Sequence, residues 1–292
     1  MLQMMSRMDL VDELVKRGYD AKPWDKVKNG VMISGILMVG KNRLSSFVVA
    51  NSFLDEGNRR GKSISKVASE FISFYERNRS YEDFEIGNLF DKEYVLSHIS
   101  IALQKPSNQL LIKRPCSYFG GTEQYLYFAV QYGTDVQMYT EVTREMLKNA
   151  GIEEEEAWER AKKNLHDNVE IKSMVEVMKE KIGADKDFWR EMTGTDEAIE
   201  LDEGFLPMYF MSNKTAVHGA SSVLDTEILA DFAKKHNTES LLILPSSIHE
   251  VIIIPDGKEE EIEFMKAMVR DVNVKEVSPE ERLSDTPFIW YL

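Results

Sequence analysis

The residues from Leu241 to Pro255, LLILPSSIHEVIIIP, constrain this chain more than any others. Two short apolar runs, Leu241–Leu244 and Val251–Ile254, flank a polar knot of Pro245, Ser246, Ser247, His249 and Glu250. Apolar runs of this length that do not alternate with polar residues read as strands covered on both faces, and the Ile and Val of the second run strengthen that reading. Helical patterns lie before and after them. The expected unit is therefore helix, strand, tight connection, strand, helix, with a polar cluster set at the lip of the core.

The remaining segments fit around that unit. Met4, Met5, Met8, Val11, Leu14 and Val15 share one helical stripe, ended by Gly18. Val31, Ile33, Ile36, Leu37 and Val39, bounded by Asn29-Gly30 and by Gly40-Lys41-Asn42, predict strands joined by tight turns. After the apolar stretch Phe47–Leu54 comes a basic loop, residues 56–63, then a helix bearing Ile64, Val67, Ala68, Phe71, Ile72 and Tyr75. The loop ends Gly-Lys-Ser, but only Asn58, Arg59 and Arg60 separate its glycines, one residue too few to wrap a phosphate. It reads as a solvated turn with Ser63 capping the next helix.

Residues 78–92 look like a connector. They divide a small basic N-terminal module, residues 1–85, from a larger acidic domain, residues 86–292. In the latter, helices are expected over about Lys92–Leu103, over 140–151 and 152–165, through Met174, Val175, Met178 and Ile182 in the charged stretch Val169–Asp202, through Leu224–Phe232, and over Lys258–Val272. Strands are expected at Leu110–Ile112, at Tyr125–Tyr132 turning through Gly133-Thr134 into Val136–Thr140, at Met208–Met211 before the Asn213-Lys214 turn, and at Phe288–Leu292. The acid runs Glu153–Glu156 and Glu259–Glu261 fall in first helical turns, where carboxylates favour the dipole. The expected fold is α+β, mostly antiparallel sheet flanked by helices, with a small N-terminal α/β module.

Charge is unevenly spread. The net charge is −14, yet residues 1–80 hold fourteen Lys or Arg against nine Asp or Glu, a balance of +5, so the remainder carries −19. An acidic bulk opposes nucleic-acid binding, leaving only the basic N-terminal region for such contacts. The single cysteine, Cys116, allows no internal disulfide and suits a reducing cytoplasm. Apolar runs fall short of the ~20 residues of a membrane span, and the opening lacks a basic leader and cleavage site. The expectation is a cytoplasmic protein without membrane attachment.

Candidate chemistry gathers in two places. Ser246 or Ser247 with His249 and Glu250 supplies every side-chain type of a serine hydrolase, but neighbours in sequence seldom reach the mutual geometry a triad needs. His249-Glu250 opens like a zinc-protease helix, yet Ile253 stands where the second histidine belongs. His218 and His249 are the pair from which a dispersed metal site would be built; with five histidines in all, no metal or cofactor is expected. Asn213 marks a turn, and His218-Gly219-Ala220-Ser221-Ser222 fits a helix cap or an anion-holding helix entrance.

The Pro-Ser-Ser-Ile-His-Glu knot and Leu283-Ser284-Asp285, with the Val27-Lys28-Asn29-Gly30 turn, the helical segment 140–165 and Asn213 followed by His218-Gly219-Ala220, resemble a family of unknown function from Gram-positive gut bacteria, their conjugative elements and phages. The resemblance runs from about Val27 to Tyr291. It implies a bacterial or mobile-element protein and brings no catalytic residues. Together these readings predict a non-enzymatic protein that binds a protein partner, such as a host factor, or a small ligand through Asn213, His218, Ser246, Ser247, His249 and Glu250. The alternative is a hydrolase built on the Ser-Ser-Ile-His-Glu cluster.

Overall fold

The computed structural model describes residues 4–40, 44–79, 84–107, 111–132, 136–182 and 207–292. The Gly133-Thr134 turn, Leu110, the Lys41-Asn42 turn and the charged stretch 183–202 lie outside them. Every strand pairing among the described residues is antiparallel, and the fold is α+β.

Ser6 starts α1 (Arg7–Lys16) with a capping box, its hydroxyl accepting from the Asp9 N–H while the Asp9 carboxylate accepts from the Ser6 N–H. Leu10 and Leu14 of α1 are fully buried against a sheet of order β1-β2-β3, formed by Ala21–Lys28, Val31–Val39 and Ser45–Val49. The Asn29-Gly30 turn that joins β1 to β2 has φ of 50° and 80°, the left-handed pair that matches strand twist. The basic stretch differs from expectation. Much of it is helical, in α2 (Asn51–Arg59), because Leu54 and Gly57 are buried beside α3 (Ile64–Asn78). Ser63 caps α3 by accepting from the Lys66 N–H.

The helix expected over Lys92–Leu103 is also corrected. It stops at His98 (α4, Lys92–His98), and Ile99–Gln104 is strand β4. Ile99, Ile101, Ala102 and Leu103 are buried there, paired along β6 (Glu123–Tyr132). A short apolar run fits either period, and the tertiary partner decides. β6 also pairs with β5 (Lys113–Pro115) and β7 (Val136–Glu141). Two helices, α5 (Arg144–Ala150) and α6 (Glu154–Asn168), seal this core through Leu147, Ala157, Ala161 and the fully buried Trp158. Gly151, at φ 67°, ends α5 as expected.

The third sheet has the order β12-β10-β11-β9-β8, built from Phe288–Tyr291, Ser240–Pro245, Val251–Pro255, Tyr209–Asn213 and Val169–Ser173. The central stretch of the sequence is thus its middle hairpin. β10 is buried at every position from Leu241 to Pro245, whereas β11 buries Val251 and Ile253 and only half-buries Ile252 and Ile254. Helices α7 (Met174–Ile182), α8 (Thr226–Lys235) and α9 (Ile262–Glu276) flank it, with α9 supplying Val269 to the layer beneath Leu242 and Leu244.

Candidate functional site

Local chemistry at the end of β9 aims the chain at the knot. The Asn213 side-chain oxygen accepts from the N–H groups of Thr215 and Val217, and its amide donates 2.7 Å to the Val217 carbonyl. This side-chain turn delivers His218 in a left-handed conformation, φ 57°. Gly219 follows, and a Cβ on it would lie 2.1 Å from Ser212 Oγ and 2.6 Å from the His249 carbonyl oxygen. Only glycine lets the loop press so closely on the knot.

The knot satisfies its own serines. Ser246 Oγ and Ser247 Oγ donate to Glu250 Oε1 at 3.0 and 2.9 Å, and Ser247 Oγ accepts from the His249 N–H at 2.9 Å. The Ile248 N–H donates to the Glu281 carbonyl, and Ser212 Oγ to that of His249. Asn213 therefore shapes backbone, Glu250 gathers the two serines, and the two histidines come together beside them.

His249 Nδ1 accepts the backbone N–H of His218 at 3.2 Å, which puts the imidazole proton on Nε2, 3.5 Å from Glu281 Oε1. Lys28 Nζ reaches the same oxygen at 3.3 Å. The His249 hydrogen bond and the Lys28 charge hold the Glu281 carboxyl down at about 2. The His218 ring is 3% exposed, with centroids 5.1 Å from Tyr139, 5.2 Å from Tyr127, 5.8 Å from His249 and 6.3 Å from Tyr125. Burial, then the proximity of His249, Lys28 and Lys26, pushes its pKa down to about 3, so it is a neutral imidazole. Its Nδ1 has no hydrogen-bond partner among the described residues. Burial likewise raises the Tyr125 and Tyr127 hydroxyls.

The site draws on parts of the chain that carry no local motif. Lys28 and Lys26 arrive on β1, with Lys26 ion-paired to Glu141 of β7 at 2.9 Å. Asn29, at the hairpin tip, is buried; it donates to the Arg282 carbonyl at 2.7 Å and accepts from the Lys105 N–H at 2.6 Å. Leu283 is buried, and Asn273 holds the next two residues through the Ser284 carbonyl and Asp285 Oδ1. Segments that carry the family resemblance, distant in sequence, thus pack together: His218 meets His249, and the Lys28-Asn29 turn meets residues 281 and 282, just before Leu283. Lys26, Lys28, Glu281 and the three tyrosines were missed by sequence reading. Lys26 and Lys28 stand in a polar strand and Tyr125 and Tyr127 in an unbroken apolar run, and nothing local names what they meet.

As chemistry, the arrangement separates the parts of a triad. The serine hydroxyls bond Glu250, while the His249 ring bonds the His218 amide and Glu281, so base and nucleophile point to different partners. Among the described residues no group of three His, Cys, Asp or Glu converges as metal ligands. A recess of about 360 Å³ lies elsewhere, between Tyr209, Phe232, Ile228 and Lys235. The titratable groups with the largest described perturbations are not in it, so the histidine cluster is the better candidate. The acid run at the start of α6 is engaged by cations: Glu154 by Arg144, Glu155 by Arg114 and Glu156 by Lys92.

The model of a family of unknown function, DUF5688, matches residues 8–291. No curated protein and no solved structure gives a significant match. No described helix is long and apolar enough to cross a membrane.

Proposed function

This chain belongs to the DUF5688 family of unknown function, and we propose that it is a non-enzymatic binding protein acting inside the cell on a protein partner. One observation carries this reading: the side chains that would make a hydrolase are committed to one another in the wrong pairs, Ser246 and Ser247 to Glu250 and His249 to Glu281. In this reading Asn213, His218, Ser246, Ser247, His249 and Glu250 hold the surface in shape. The accessible rim, with Tyr139 at 44% exposure beside Lys26 and Glu141, offers the contact. The charge of −19 beyond residue 80 favours a partner with a basic surface.

Affinity purification from the native host, with mass spectrometry of co-purifying proteins, tests this. A stoichiometric protein is expected, retained by the Ser246→Ala/Ser247→Ala chain and weakened by Glu159→Lys with Glu263→Lys, two exposed acids. Turnover of an ester, peptide or phosphate substrate by the wild type, abolished in the double serine variant while its fold persists, would overturn the reading in favour of a hydrolase.

A further inference from the structure

Helix α9 buries Val269 and Asn273 and half-buries Ile262 and Met265, yet one flank is bare. Phe264 is 67% exposed, Met268 43% and Val272 47%. At about 3.6 residues per turn, positions four apart stack into a stripe, and positions seven either side of its centre fall on the same line. Here those outer positions are Lys275 and Glu261, the residue that leads into α9 with helical backbone and whose carboxylate also accepts from the Lys258 N–H. The stripe reads acid, Phe, Met, Val, base, and is disposed symmetrically about Met268.

A stripe of that form is complementary to itself when reversed. We propose that α9 is a two-fold interface between two copies of this chain, the helices antiparallel with Met268 on the axis. Phe264 of each copy packs on Val272 of the other, and Glu261 of each faces Lys275 of the other. An isologous contact requires this pairing of i with j and j with i. In the single chain Lys275 is paired with the exposed Asp271 one turn back at 2.7 Å. The apolar residues supply the burial, and the opposite charges fix antiparallel over parallel pairing, since parallel helices would set Glu261 against Glu261. One helix pair is small beside the ~1,200 Å² or more of a stable interface, so micromolar association is expected.

The experiment uses the full chain. Sedimentation velocity across the micromolar range is expected to show a monomer–dimer equilibrium that Met268→Glu abolishes without changing the thermal midpoint. Glu261→Lys and Lys275→Glu are each expected to weaken it about three- to tenfold, and the two together to restore it. Under diamide, Met268→Cys is expected to cross-link across the axis. Val274→Cys, 62% exposed on the opposite flank, is expected not to, and native Cys116 is buried. A monomer at every concentration, equal cross-linking at both positions, or no rescue by the double charge swap would overturn the proposal. So would a monomer whose Met268→Glu variant loses a host protein that the wild type captures, which would assign the stripe to a foreign partner.

Discussion

The Asn29-Gly30 turn and the Ser246–Glu250 knot both join antiparallel strands, yet their side chains bond over very different distances. The serines of the knot reach Glu250, three and four residues away. Asn29 reaches Lys105 and Arg282, which are 76 and 253 residues on. The hairpin tip takes its shape from local rules and its burial from remote partners, so it fastens the N-terminal sheet to the body. The serines of the knot and Glu250 keep to one another, and only Ile248 and His249 reach out, to Ser212, His218 and Glu281. Two connections of similar sequence character therefore differ in what breaking them should do.

Among substitutions at neutral pH, the largest effect is expected where the loop meets the knot. Gly219→Ala places a methyl group inside contact distance of Ser212 and the His249 carbonyl, and should cost about 3 kcal/mol in urea denaturation. Asn29→Gly keeps the left-handed backbone but strands the Lys105 N–H and Arg282 carbonyl. A loss of about 2 kcal/mol is expected, with faster hydrogen exchange at the Lys105 amide. If stability is unchanged, the tip is not a fastening.

The pH dependence separates two carriers. His218 titrates at about 3 in the fold against 6.5 ordinarily, so its contribution is complete above pH 6.5 and is lost as pH falls from there toward 3. The wild type should lose about 1.4 kcal/mol per pH unit in that window from this group, and His218→Asn, which tolerates the left-handed backbone, should flatten the slope. Glu281 titrates at about 2 against 4.5, so its share is present above 4.5 and disappears as pH falls to about 2; Glu281→Gln should remove that lower step only. The smallest effect is expected for Ser246→Ala, about 1 kcal/mol or less, because Ser247 still donates to Glu250. An effect as large as that of Asn29→Gly would erase the contrast between the two connections.

Much of this was legible from residue order. The strands around the knot, the caps at Ser63 and Gly151, and the Asn29-Gly30 turn follow from propensity and period, which act within a few residues, whereas the helix expected from Thr140 starts only after its cap Thr143. The Ile99–Leu103 run was misread because helix and strand periods fit a short apolar segment equally well, and only pairing with β6 distinguishes them. Of the candidate site, the sequence marked the serines and the pair His218 and His249, but not Glu281 and Lys28 beside them.

By itself, the sequence determined the antiparallel hairpin at 240–255, the surrounding helices and the uneven distribution of charge. Those depend on side-chain volume, backbone preference and composition. Tertiary structure alone decided that His249 faces Glu281 and Lys28 in place of a serine, that His218 is neutral beneath three tyrosines, and that Asn29 is buried. Hydrogen-bond direction and desolvation depend on which groups lie within a few ångströms, and that is set by packing segments that lie far apart along the chain.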